Sequence, residues 1–230
     1  MSRIIIIETS TALTSVALAE NGEITAYKES TQMREQAALT APFVQEILKG
    51  KGLSVKDCSA VCVGKGPGSY TGLRVGVSTA KGLCFGAGIP LISVGTLDTL
   101  VYQAIDEGLL PEGCKYVIPM IDARRMEVYT AVFTTDAKQV TETEPRVIDA
   151  GSFEKYLNEG PVLFIGDGAG KCSETIKNAN AHFCQCSPKA TAMLRPAEQA
   201  YNEKKFEDVA YFEPFYLKQY IPTISKHKLF

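Results

Sequence analysis

The stretch that most constrains this chain runs over residues 64–88, Gly-Lys-Gly-Pro-Gly-Ser-Tyr-Thr-Gly-Leu-Arg-Val-Gly-Val-Ser-Thr-Ala-Lys-Gly-Leu-Cys-Phe-Gly-Ala-Gly. Its opening cannot be helical. Gly64, Gly66 and Gly68 open backbone angles closed to other residues, and Pro67 disfavours helix at Gly66 while fixing its own φ. Ser69 or Thr71 then caps a helix that reaches residue 87, where Gly88 supplies the stop. A helix start behind a glycine loop resembles an anion site, but no Gly-Lys-Ser/Thr follows at the P-loop offset.

At about 100° per residue, Gly72, Gly76, Thr79, Ala80, Leu83, Gly86 and Ala87 fall on one side of that helix, and nearly all are small. Leu73, Val77 and Cys84 make an adjacent apolar strip, and Arg74 and Lys81 lie on one line. Gly72, Gly76, Gly82 and Gly86 each cost roughly 1 kcal/mol against alanine inside a helix, so the close approach of a second backbone has to compensate. That backbone is either another helix of the same core or, besides the core contact, the helix of another subunit. The expectation taken forward is the second.

Composition narrows the remaining classes. The chain has 230 residues, 45% of them apolar, enough for one large domain or two lobes. No apolar run reaches the roughly 18 residues of a membrane span, and Met-Ser-Arg-Ile-Ile-Ile-Ile enters a strand without signal-peptide anatomy, which predicts a cytoplasmic protein. A net charge of −2 provides no global basic field for nucleic acid; Arg124 with Arg125, Lys204 with Lys205, and Lys226 with Lys228 are small basic clusters only. The seven cysteines are irregularly spaced and form no Cys-x-x-Cys, as expected of free thiols. His182, Cys184 and Cys186 share a face if they lie on a strand, but alternate residues are roughly 7 Å apart, too far for easy ligation of one metal. No metal is expected.

Read in order, the chain predicts strands over 4–7, 14–19 and 24–28, the last two joined by Asn21-Gly22, the strongest short hairpin signal. A helix over 34–49 carries Pro42, which either kinks it or starts a new helix capped by Thr40. Ala37, Ala38 and Ala41 again permit close packing. A strand over 60–63 feeds the glycine loop; a strand over 90–94 and a helix over 96–107 follow. The second half repeats the plan: strands over 116–121, 127–133 and 139–148, a short helix capped by Ser152, a strand over 162–165 and a glycine-rich turn at 166–170. Residues 188–206 read as helical, and the aromatic tail from about 208 reads as docked back on the first lobe. Lobes over 1–108 and 109–230 result.

A duplicated βββαβα unit with an acidic turn after each first strand, at Glu8 and Asp122, points to the two-lobed actin and sugar-kinase architecture. The predicted class is α/β, a duplicated actin/Hsp70-like (ASKHA, ribonuclease H-like) fold with a mixed sheet flanked by helices in each lobe. Such folds bind nucleotide between the lobes, with acidic turns handling metal and water. Fold alone does not establish activity.

Five segments carry a closer resemblance: Ile-Glu-Thr-Ser-Thr at 7–11, the glycine motif at 64–76, Ile-Asp-Ala-Arg-Arg-x-Glu-Val-Tyr at 121–129, Gly-Asp-Gly-Ala at 166–169 and Glu-Pro-x-Tyr-Leu at 213–217. Together they resemble the bacterial TsaB (YeaZ) family of tRNA threonylcarbamoyladenosine biosynthesis proteins. The resemblance implies a non-catalytic partner of the TsaD transferase subunit, acting with the TsaE ATPase, forming a homodimer when the partner is absent, and meeting tRNA through the complex. It implies that helices 34–49 and 71–87 pair with their counterparts in TsaD or in a second copy. Ala37, Ala38, Ala41, Gly72, Arg74, Gly76, Thr79, Ala80, Lys81 and Leu83 are the partner-binding candidates. Glu8, Thr9, Asp122, Gly166 and Gly168 are candidates for a vestigial or composite nucleotide site, with no cofactor of the chain's own and ATP or ADP held at an interface of the assembled complex.

The residues fit a subunit without catalysis. The turn Glu8-Thr9-Ser10-Thr11 lacks the Asp-and-glycine pattern of a phosphate loop in this fold. The catalytic relative binds metal through two histidines on its first helix, where this chain has Arg34-Glu35-Gln36. No His-Glu-x-x-His is present, and Ser69 stands between Pro67 and Thr71 without the glycines of a nucleophile elbow. The alternative is an independent nucleotide-dependent enzyme using Glu8 and Asp122 as metal carboxylates.

Overall fold

The computed structural model describes residues 2–32 and 36–218. The Ile4, Ile5, Ile6 and Ile7 run is apolar without alternation because its strand, β1 (Arg3–Glu8), is covered on both faces. Ile5 and Ile7 join one apolar cluster, and Ile4 and Ile6 the cluster on the opposite face. β1 pairs antiparallel with β2 (Thr14–Glu20), which pairs antiparallel with β3 (Glu23–Ser30). On its other side β1 runs parallel to β4 (Ala60–Gly66), and β4 runs parallel to β5 (Leu91–Gly95). The sheet order is β3-β2-β1-β4-β5. Parallel neighbours need crossovers, and α1 (Gln36–Gly50) and α2 (Tyr70–Ala87) supply them, packing on the Ile5 and Ile7 face.

The predicted punctuation holds in α2. The Ser69 hydroxyl accepts from the Gly72 amide, and Gly88 ends the helix in the left-handed region at φ 69°. β4 runs on through Gly64 to Gly66, beyond the predicted loop start. Glycine is needed at 64 because a Cβ there would collide with the Glu8 carboxylate. α1 continues through Pro42, so no new helix starts there; Thr40 is no cap, since its hydroxyl donates back to the Gln36 carbonyl at 2.6 Å. Residues 34 and 35 lie outside the described residues, as do Lys226 and Lys228.

α3 (Thr96–Asp106) leads to a second sheet of order β11-β10-β6-β7-β9. Its strands are β6 (Tyr116–Asp122), β7 (Glu127–Thr130), β8 (Phe133–Thr134, paired with β6), β9 (Glu144–Val147), β10 (Val162–Ile165) and β11 (Ala181–Cys184). β6, β10 and β11 are parallel; β7 returns antiparallel. Leu97, Leu100, Val101 and Ala104 of α3 bury against Val117, Ile121 and Leu163 of this sheet. Short helices α4 (Glu154–Leu157) and α5 (Ala169–Cys172) complete the lobe.

Several second-half expectations need correction. The predicted strand over 127–133 is split into β7 and β8, and that over 139–148 shortens to β9. Ser152 does not cap α4: its hydroxyl closes a turn with Asp149, donating at 2.9 Å, and Phe153 at φ 64° stands at the helix start. Residues 188–206 begin as a 3-10 turn (Ala190–Met193) before α6 (Leu194–Asn202). Ala190, Met193 and Ala197 pack with Ile4 and Ile6, so the chain returns to the first sheet well before residue 208.

Candidate functional site

A cleft of about 740 Å³ opens between the two sheets. Ser10 and Thr11 line one wall from the turn after β1, with residues 67–71 at the start of α2. Asp122, Arg124 and Asp167 line the opposite wall, and the tail at 215–218 borders the opening. The repeated turn after each first strand thus meets its counterpart across one cleft.

Of the five nucleotide-site candidates, only Asp122 reaches it. Glu8 is fully buried; its Oε1 accepts from the Ser10 amide at 2.6 Å, while Oε2 has no partner among the described residues. Burial pushes its carboxyl up to about 6, and the bonds to Ser10 moderate the rise. Thr9 is equally buried, and its hydroxyl donates to the Gly72 carbonyl at 2.8 Å. Gly166, at φ 130°, allows the turn after β10 to press on the Met120 carbonyl, where a Cβ would clash. Gly168 lacks room for a side chain beside Val128, and its amide donates to Met120 at 2.9 Å. These four residues hold turns together within the chain.

Asp122 is itself engaged. Its Oδ1 accepts from the Arg124 amide at 2.7 Å and from the Lys171 ammonium at 2.6 Å. Its own amide donates to Asp167 Oδ1 at 2.9 Å. Burial, opposed in part by this hydrogen bond, raises the pKa of Asp167. Gln185 was not singled out from the sequence. It braces the same turn, donating to the Asp167 carbonyl at 2.8 Å and accepting from the Gly170 amide at 2.6 Å. No sequence signal marks it, because its partners come from another strand's turn. Cys184 and Cys186 pack toward the apolar cluster around α3, and His182 is exposed.

The partner-binding candidates separate into four groups. Ala37, Ala38 and Ala41 are exposed on α1. Gly72, Gly76 and Ala80 are buried in their own chain, so they are not surface residues. A Cβ on Gly72 would meet the Thr9 carbonyl and one on Gly76 the Thr9 hydroxyl. The second backbone anticipated for these glycines is the turn after β1. Arg74 and Lys81 hold the chain's own tail. The Lys81 ammonium donates to the carbonyls of Ala210 at 3.1 Å and Phe212 at 2.9 Å. Arg74 reaches the Tyr216 hydroxyl at 3.4 Å and stacks over Tyr70, whose ring packs on Tyr216. The Phe215 amide adds a bond to the Lys65 carbonyl at 2.8 Å. Thr79 is half-buried, and Leu83 packs on the core beneath.

The exposed residues of α2 are Thr71, Arg74, Ser78, Gly82, Phe85 and Gly86. Among the described residues nothing lies within 4 Å of a would-be Cβ on Gly82 or Gly86, and Phe85 is 86% exposed. α1 packs against α2, and both helices carry small exposed residues, with the Phe85 ring protruding from α2.

The model of the TsaD family, tRNA N6-adenosine threonylcarbamoyltransferase, matches residues 29–220. The tRNA threonylcarbamoyladenosine biosynthesis protein TsaB of Escherichia coli strain K12 is 34% identical over 226 residues, 94% of each chain. The structure of YeaZ from Pseudomonas aeruginosa aligns with a TM-score of 0.82 at 24% identity, over 94% of this chain and 100% of that one. An activator of 2-hydroxyisocaproyl-CoA dehydratase from Clostridium difficile, solved with bound ADPNP, aligns at a TM-score of 0.50 and 10% identity over 88% of this chain and 96% of that one, a likeness of fold alone. The two lobes, each a mixed sheet flanked by helices, are therefore of the actin-like class, and the chain belongs to the TsaB (YeaZ) family of tRNA threonylcarbamoyladenosine biosynthesis proteins.

Proposed function

We propose that this chain is a non-catalytic, partner-binding subunit of the cytoplasmic machinery that forms threonylcarbamoyladenosine on tRNA. It docks on a TsaD-type transferase subunit through α1 and α2, acts with a TsaE-type ATPase, and pairs with a second copy when the transferase is absent. It meets tRNA as part of the assembly. It holds no nucleotide of its own; ATP or ADP belongs to an interface of the assembled complex.

The observation that carries this reading is the open face of α2. Gly82 and Gly86 weaken the helix by roughly 1 kcal/mol each and receive no packing from the described residues in return. Phe85 on the same helix is exposed, as are Ala37, Ala38 and Ala41 on α1. A second helix can approach such a surface to backbone distance, with Phe85 as an anchor. The alternative of an independent nucleotide-dependent enzyme is weakened because Glu8 is sealed from the cleft and Asp122 is bonded to Lys171. Among the described residues no helix is long and apolar enough to cross a membrane.

The test is Gly82→Leu, a bulky side chain placed where the fold has room. Its circular dichroism should match the parent's while its affinity for the TsaD-type subunit drops at least tenfold. Unchanged affinity would sink the interface assignment. ATP binding by the isolated chain that disappears in Asp122→Ala would restore the enzyme reading.

A further inference from the structure

The nucleotide-binding relatives of this fold make the acidic turn after the second-lobe first strand a place to look for a divalent cation. The donors present here do not fit one. Lys171, on α5, extends its side chain to the hairpin between β6 and β7 and is 23% exposed there. Its ammonium lies 2.6 Å from Asp122 Oδ1, 2.7 Å from the Arg125 carbonyl and 2.7 Å from the Glu127 carbonyl. An ammonium has three donors, and all three are used. The acceptors are one carboxylate oxygen and two main-chain carbonyls, the oxygen set that a hard cation takes from a protein.

The hairpin is shaped around this contact. Arg124 and Arg125 both hold left-handed angles, at φ 72° and 52°, which side chains adopt only when neighbouring contacts fix them. Asp122 Oδ1 also receives the Arg124 amide, and Asp167 fixes the Asp122 amide from the adjoining turn. A divalent ion at Asp122 would have to displace a tethered positive charge already bonded to the same oxygen.

We propose that Lys171 is the resident cation of this cleft: its ammonium takes the position of a divalent ion on Asp122, so the cleft wall is assembled and operates without metal. The proposal predicts that removing the ammonium exposes a latent three-oxygen cation site.

The probe is manganese(II) alone, read by water-proton relaxation, with the full chain, Lys171→Ala, and Lys171→Ala combined with Asp122→Asn. The parent chain should show no saturable site tighter than about 1 mM, the weak end of protein cation sites. Lys171→Ala should gain one site at least about tenfold tighter, and the added Asp122→Asn should abolish it. A manganese site in the parent that Asp122→Asn removes overturns the proposal. So does a Lys171→Ala variant that gains no site, or a gained site that survives Asp122→Asn. Should Lys171→Ala fail to fold, paramagnetic broadening in the amide spectrum of the parent chain decides. Sharp signals over 122–127 in the presence of manganese support the proposal, and selective broadening there refutes it.

Discussion

Two glycines on one helix should respond oppositely to the same substitution. At Gly82 an added methyl meets nothing within 4 Å among the described residues, so Gly82→Ala recovers only the helix propensity, about 1 kcal/mol of stabilisation. For a chain of this size that is a rise in Tm of about 2–4 °C. At Gly76 the same methyl would overlap the Thr9 hydroxyl, which is itself fixed by its bond to the Gly72 carbonyl. Overpacking costs about 1–3 kcal/mol, against which the propensity gain of about 1 kcal/mol is the only offset. Gly72→Ala should be worse than either, because its methyl meets the Thr9 main-chain carbonyl, which has no rotamer to change. The assay is urea unfolding at constant slope, comparing midpoints across the three variants. A Gly82→Ala variant less stable than the parent would refute the assignment of that side as open. A stabilised Gly76→Ala would refute the packing of α2 on the turn after β1.

Other perturbations have equally definite outcomes. Glu8 carries a folded-state pKa of about 6 against 4.5 for an ordinary glutamate, so the folded chain binds more protons than the unfolded one between those values. Stability should therefore fall by about 2 kcal/mol as pH rises from 4.5 through 6, and Glu8→Gln should flatten that slope in pH-dependent urea titrations. Lys81→Met removes a charged donor from two carbonyls of the tail; amide exchange over 208–216 should accelerate, with a global loss of no more than about 1–3 kcal/mol. Unchanged exchange there would show that the tail is held without Lys81, by the apolar contacts of Val209 and Phe212 and the bonds of Phe215 and Tyr216.

Much of the fold is legible locally. Asn21-Gly22 marks the hairpin between β2 and β3, Ser69 and Gly88 mark the ends of α2, and the unbroken isoleucine run announces a strand covered on both faces. The site is less legible, because its contacts are long-range. The helical period places Gly72, Gly76 and Ala80 on one side of α2 but cannot say which side faces inward; that depends on a turn more than sixty residues earlier. Arg74 and Lys81 share a line as the spacing requires, yet their partners come from residues 210–216. Lys171 gives no signal at all, since its acceptors include two main-chain carbonyls. On α1, Val44, Ile47 and Leu48 fill the inward face and leave Ala37, Ala38 and Ala41 exposed, a split that the helical spacing alone does not assign to a partner.

The central claim is that α1 and α2 offer one surface to either a second copy or the transferase subunit. Sedimentation equilibrium of the chain alone, and mixed one to one with its TsaD-type counterpart, tests it directly. The expected result is a homodimer that gives way to a one-to-one heterodimer, with both species lost in Gly82→Leu. A chain that sediments as a monomer in both samples would contradict it.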